Sequence, residues 1–112
     1  MSAMQSVAVS ENKIFHALAD PSRRAILEAL TRGEAAVNDL TARFHISQPA
    51  VSQHLATLRD AGLVNGRRDG RRVFYRAEPR GMAPLINWMA HYRAFWPEHV
   101  ARLEQLLERM GE

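Results

Sequence analysis

The stretch Ser47–Gly62, SQPAVSQHLATLRDAG, constrains the fold more than any other part of the chain. Ser47 can cap the amino end of a helix, and Pro49 fits its first turn, where a missing N–H costs nothing. Val51, Leu55 and Leu58 recur at steps of four and three and form one apolar stripe. Gly62 supplies the left-handed residue that closes a helix. The opposite face carries Pro49, Gln53, Ala56 and Thr57, with Gln48 and Ser52 near the amino end, and none of these is charged. A solvated helix face normally mixes Lys with Glu. Small hydrogen-bonding groups instead suit a DNA major groove, where Gln can pair with an adenine edge and Ser with several bases. The competing reading is a polar helix in a small bundle.

Signals on the amino-terminal side place this helix in a larger pattern. Residues 1–9 are expected to be loosely ordered. Ser10 can cap a helix over residues 10–19, with Ile14, Phe15 and Leu18 apolar. Asp20-Pro21, a capping residue followed by proline at the first helical position, starts a second helix over 21–31. A short helix over 37–44 carries Val37, Leu40 and Phe44. His45-Ile46-Ser47 then leads into the helix at 48–61. Two short helices joined by three residues have the geometry of a helix-turn-helix, whose second member enters the groove.

After Gly62 the period changes to that of strands. Asp69-Gly70 between two basic, β-compatible runs signals a hairpin over residues 63–77. Centring the turn on Asp69-Gly70 sets Arg68 opposite Arg71, Arg67 opposite Arg72 and Val64 opposite Tyr75. Four arginines then ring the tip, and like charges directly opposed are tolerated best where a polyanion neutralises them. Between Arg59 and Arg80 seven arginines face Asp60, Asp69 and Glu78. The positive charge therefore gathers next to the central helix, although the whole chain is only +3. Lys13 is the only lysine.

Pro79 and Gly81 mark a break, and helical spacing resumes over 82–110. Leu85, Met89, Tyr92, Trp96, His99, Leu103, Leu106 and Met110 follow a 4-3-4-3 spacing, a heptad seam. Trp88, Phe95, Val100 and Leu107 widen it. That apolar surface exceeds what one small domain covers, so self-association is expected, with Ile14, Phe15, Leu85, Trp88, Met89, Tyr92, Trp96 and Leu103 at the dimer interface. Pro97 either kinks this helix or starts a new one with Glu98 in its first turn.

The chain of 112 residues has room for one domain, here residues 10–112. Its apolar runs are too short for a membrane span, and its amino terminus lacks the basic residue and apolar length of a secretory signal, so a cytoplasmic location is expected. Cysteine is absent, which removes disulfides, thiolate metal sites and a cysteine nucleophile. Neither a phosphate-cradling glycine loop nor a nucleophile elbow surrounds Ser47 or Ser52, so no enzymatic activity and no cofactor are expected.

With the order helix, helix, helix-turn-helix, basic hairpin, helix in place, the chain resembles the winged-helix repressors of the ArsR/SmtB family. The resemblance runs from Asn12 to Tyr75. It rests on Ala17-Leu18-Ala19-Asp20-Pro21-Ser22-Arg23-Arg24, on Val51-Ser52-Gln53-His54-Leu55, and on Leu58-Arg59-Asp60-Ala61-Gly62-Leu63-Val64. It implies a mainly α winged helix-turn-helix with a small β-hairpin wing. It also implies a homodimeric transcriptional repressor that binds an inverted-repeat operator in double-stranded DNA. Carried onto this chain, the DNA-binding set is Ser47, Gln48, Ser52, Gln53, His54, Thr57, Arg67, Arg68, Arg71 and Arg72. The family's Cys-Val-Cys metal site falls on Ala36-Val37-Asn38, where both thiolates are missing. The family's other site uses an Asp, a His and a distal His-x-x-His or Glu on the last helix. His91 and His99 lie eight apart, about 80° around an ideal helix, and do not reproduce that spacing. Trp88 and Phe95-Trp96 look like a branch without recognised metal ligands. A zinc-responsive repressor using His91 and His99, a small apolar effector held among Trp88, Tyr92, Phe95 and Trp96, and a winged helix used for protein–protein contact are the alternatives.

Overall fold

The computed structural model describes residues 3–93, 95 and 97–111, with the side chains of residues 3–9, 97, 99 and 100 left aside. Among these residues six α-helices and three strands follow one another: α1 (Ala3–Leu18), α2 (Pro21–Arg32), β1 (Ala35–Ala36), α3 (Val37–Phe44), α4 (Gln48–Asp60), β2 (Val64–Asp69), β3 (Arg72–Ala77), a 3₁₀ turn (Pro79–Met82), α5 (Ala83–Arg93) and α6 (Pro97–Met110). The first helix starts at Ala3, well before the Ser10 start expected. Gln5–Val9 contains no glycine or proline to break it.

The capping residues behave as their chemistry requires. The Asp20 carboxylate accepts from the Ser22 and Arg23 amides at 2.7 and 3.2 Å and opens α2. Ser47 Oγ accepts from the Ala50 amide at 3.2 Å and opens α4. At the far end of α4, Gly62 takes φ 79°. The Leu63 amide reaches back to Leu58 O and the Gly62 amide to Arg59 O, both at 2.9 Å. This pair of bonds is the Schellman closure.

The apolar stripes of these helices meet in one core. Ile14 and Ala17 of α1, Ile26 and Leu30 of α2, Leu40 of α3, Val51, Leu55 and Leu58 of α4, Leu63, Val64 and Leu85 are buried together. Ile14 is 1% exposed and Leu85 9%. Both were expected at a dimer interface; they are buried instead in the core of the subunit, Ile14 on the face of α1 that meets α4 and Leu85 on α5, which packs against α1.

The wing differs from expectation in two ways. Its sheet has three antiparallel strands in the order β1-β3-β2, and β1 carries no strand signal in the sequence. Its register also shifts: Asp69 pairs with Arg72, Arg68 with Val73, Arg67 with Phe74, Gly66 with Tyr75 and Val64 with Ala77. The two-residue link is Gly70-Arg71, with Gly70 at φ 64°, the arrangement of a type II′ turn. No arginine opposes another, so the expected cross-strand repulsion is absent, and Asp69 lies 3.9 Å from Arg67 on its own strand.

The carboxy-terminal segment is two helices, not one. Pro97 starts α6 with Glu98 in its first turn, so the heptad seam does not run along a single rod. Every α6 side chain described is exposed. The radius of gyration is 16.9 Å, against about 13 Å for a compact chain of this length, because α6 stands away from the core.

Candidate nucleic-acid interface

The α3–turn–α4 unit packs against α1, α2 and the wing strands. Its turn places His45 in the left-handed region at φ 56°, where its amide closes α3 on Thr41 O at 3.0 Å. Lys13 Nζ lies 3.6 Å from Asp60 Oδ2 and ties α1 to the last turn of α4. Arg23 donates from Nε to Ala17 O at 2.7 Å and from Nη2 to His16 O at 3.0 Å, and Arg24 Nη1 donates to Leu18 O at 2.5 Å. The Asp-Pro-Ser-Arg-Arg motif thus caps two helices at once: Asp20 the start of α2, and the arginines the carbonyl end of α1. Hydrogen bonding by the Arg23 amide, ahead of that by Ser22 and the charge of Arg23, holds the Asp20 carboxyl below its usual value.

This frame presents the amino-terminal part of α4 to solvent. Ser47, Gln48, Pro49, Ser52 and Gln53 are exposed, with no charged side chain among them. Of the expected readers, Gln48, Ser52 and Gln53 share this open surface. Ser47 is there too, but its hydroxyl is occupied as the cap. Thr57 stands apart: it is half-buried and its hydroxyl donates to Gln53 O at 3.1 Å, within the helix. His54 is also half-buried. Its Nδ1 has no hydrogen-bond partner among the described residues, so the ring belongs more to the packed flank than to the open face.

The wing stands beside this face with its arginines in two settings. Arg67 binds Glu34 through Nε at 2.6 Å and Nη2 at 3.2 Å. Arg72 Nη2 reaches Asp39 Oδ2 at 3.4 Å. The Arg67 bond holds the Glu34 carboxyl below its usual value and raises that of Arg67 in return. Arg68 and Arg71 meet no carboxylate among the described residues. Sequence reasoning treated the four arginines alike. The anchoring acids were missed because they come into reach only through β1.

At the opposite end, Phe15, Trp88, Met89, Tyr92 and Leu103 are between 37% and 56% exposed. Trp96 lies outside the described residues. Phe15 packs edge-on against Trp88 at 5.2 Å, which joins α1 to α5 in one aromatic surface. A cleft of about 660 Å³ lined by Ile86, Trp88, Met89, Tyr92, Arg93 and Glu104 continues this surface between α5 and α6. His91 turns its ring edge to Tyr92 and Phe95, at 5.6 and 6.2 Å. The side chain of His99, its expected zinc partner, is outside the described set, and no cluster of three or more His, Asp or Glu is formed among the described residues.

Comparison with known proteins agrees with this architecture. The family model described as "Bacterial regulatory protein, arsR family" matches residues 20–66, from the α2 cap to the start of the wing. The HTH-type transcriptional regulator Rv2034 of Mycobacterium tuberculosis is 39% identical over 103 residues, covering 92% of this chain and 94% of its own. The transcriptional repressor SdpR of Bacillus subtilis is 35% identical over 81 residues, covering 72% of this chain and 90% of its own. Among solved structures, an ArsR-like transcriptional regulator from Rhodococcus superposes with a TM-score of 0.73 at 28% identity, over 90% of this chain and 95% of that one. A winged helix with an uncharged recognition face, a basic hairpin and these relatives make one assignment: the chain belongs to the ArsR family of bacterial transcriptional regulators and is a DNA-binding protein, not an enzyme.

Proposed function

We propose that the protein is a homodimeric repressor that binds an inverted-repeat operator, each subunit laying the amino-terminal half of α4 in a major groove. The observation that carries this reading is the exposed, uncharged surface of Gln48, Ser52 and Gln53 set beside a wing bearing Arg67, Arg68, Arg71 and Arg72. Amide side chains supply paired donors and acceptors for base edges, while arginines supply sequence-independent attraction to phosphate. Support for a dimer comes from the exposed apolar surface of Phe15, Trp88, Met89 and Leu103. Support for repression comes from SdpR and from the biofilm growth-associated repressor of Agrobacterium fabrum, 38% identical over 84 residues. Two-fold symmetry of the protein is then mirrored in the operator, with half-sites about one helical turn, or a multiple of it, apart. Acting on the chromosome, such a repressor works in the cytoplasm.

Selection of random duplex DNA on the purified chain at near-physiological salt tests this. A palindromic motif is expected, and Gln53→Ala should relax preference at one or two symmetric positions. Enrichment of no motif, or binding no better than to heparin, would favour use of the winged helix for protein contact instead.

A further inference from the structure

Strand periodicity and the observed register divide the wing arginines by face. Arg67, Asp69, Arg72, Phe74 and Arg76 share one face of the hairpin, Arg68 shares the other with Val73 and Tyr75, and Arg71 sits in the turn. On the first face Arg67 and Arg72 are already met by carboxylates, while Arg76, nearer the base of the hairpin, has no carboxylate partner among the described residues. Arg67 forks onto both oxygens of Glu34, and Arg72 lies 3.4 Å from Asp39. Both guanidinium groups also rest against the Phe74 ring, 5.1 and 4.9 Å from its centre. The acids are placed by the frame. Glu34 directly precedes β1, which pairs with β3 at Ala35–Tyr75 and Ala36–Phe74. Asp39 sits in the first turn of α3, where its Oδ2 also accepts the Ala36 amide at 3.0 Å.

We propose that Glu34 and Asp39 are positioning residues for DNA binding: they hold Arg67 and Arg72 as an anchor that fixes the wing against the helix-turn-helix, and leave Arg68 and Arg71 as the arginines that meet phosphate. This rests on the docking of α4 proposed above. An arginine already neutralised by a carboxylate displaces no counterion when DNA arrives. Of the four arginines at the tip, two and not four therefore contribute to the salt dependence of binding, at about 0.9 in the slope of log K against log salt for each.

The test measures binding of the full chain to a random-sequence duplex and to a duplex carrying the selected motif, across a salt series, with hydrogen exchange of the wing amides in the free protein. Arg68→Ala and Arg71→Ala should each lower the slope by about one. Glu34→Gln should leave the slope as it is and weaken binding to the motif roughly two- to fivefold, the scale of an exposed ion pair. It should also speed exchange between Arg67 and Arg72. Arg67→Lys keeps the charge but loses the fork, and should match Glu34→Gln; the double variant should bind no worse than either single one. Simple electrostatics predicts the opposite sign, since removing an acid beside DNA strengthens binding. Tighter binding and a steeper slope in Glu34→Gln would show that Arg67 is itself a phosphate contact, and would overturn the proposal. Unchanged exchange with intact DNA binding would refute the anchor alone. A wild-type chain that prefers duplex DNA no more than heparin would refute the DNA reading, and the DNA role of the anchor with it.

Discussion

Gly81→Ala probes the junction between the end of α4 and the carboxy-terminal helices. A Cβ built on Gly81 falls onto the Gly62 carbonyl oxygen and lies 2.8 Å from the Gly62 carbonyl carbon and 3.1 Å from Leu63 Cα. These atoms are backbone, and they cannot swing aside as a side-chain tip would. The Gly62 and Leu63 amides are committed to Arg59 O and Leu58 O, and Leu63 O accepts the Glu78 amide at 2.9 Å. Relief must come by moving the 3₁₀ turn away from α4 or by opening the Schellman closure. Overpacking of this kind costs about 1–3 kcal/mol, and backbone as the obstacle places Gly81→Ala at the upper end of that range. For a chain of this size a loss of that order lowers the melting temperature by roughly 5–15 °C. Gly33→Ala is the matched control. Gly33 has an extended backbone with nothing within 4 Å of its Cβ position, so alanine there should be neutral or gain about 0.4–1 kcal/mol. Urea unfolding of both variants, followed by helical circular dichroism, decides the matter. If Gly81→Ala unfolds within about 0.5 kcal/mol of wild type, the size expected of an indifferent surface change, the close approach described here is wrong.

Three further outcomes follow from local geometry. His45→Gly relieves a left-handed residue bearing a Cβ, at the cost of extra freedom in the unfolded chain, and should raise stability by about 0.5–1 kcal/mol in urea unfolding; a loss would contradict the φ of 56°. Asp20 has a depressed pKa, so its contribution is complete above the ordinary carboxylate value near 3.8 and is lost as pH falls through the lower folded value. Asp20→Asn keeps the cap, so its stability deficit at neutral pH should shrink below pH 4, and a deficit independent of pH would remove the charge from the account. Leu103→Glu places a charge on the stripe of Leu103, Leu106, Leu107 and Met110 and should shift sedimentation from dimer toward monomer without loss of helix; an unchanged dimer would take α6 out of the interface.

What was legible in the sequence was what neighbours in the chain decide. Asp20, Ser47 and Gly62 were readable as helix ends because a cap acts on amides or carbonyls within a few residues. The core stripe of Val51, Leu55 and Leu58 was readable for the same reason. The hairpin was visible but its register was not. Asp69-Gly70 and Gly70-Arg71 are both acceptable two-residue links, and the choice is made by contacts across the strands. In the observed pairing Gly66 lies opposite Tyr75, whose Cε1 would stand 3.1 Å from a Cβ at that position. The tip itself carries no trace of that constraint. Strand β1 was invisible because Ala35-Ala36 is too short and too bland to signal a strand; β3 makes it one. Once β1 and the register were missed, Glu34 and Asp39 could not be connected to the wing.

The motifs that make the family recognisable are largely those that build the frame. Arg23 and Arg24 are spent on the carbonyls of His16, Ala17 and Leu18, Asp20 on the start of α2, and Gly62 on the end of α4. Each of these groups is committed to a contact within the frame. The side chains of Gln48, Ser52 and Gln53, by contrast, are exposed and make no hydrogen bond among the described residues. A frame that needs nothing from these three positions leaves them open, on the docking proposed above, to be chosen for the DNA alone. Exchanging them as a set should therefore change which DNA is bound while leaving the unfolding midpoint close to wild type, since exposed positions without partners usually shift stability by less than about 0.5 kcal/mol.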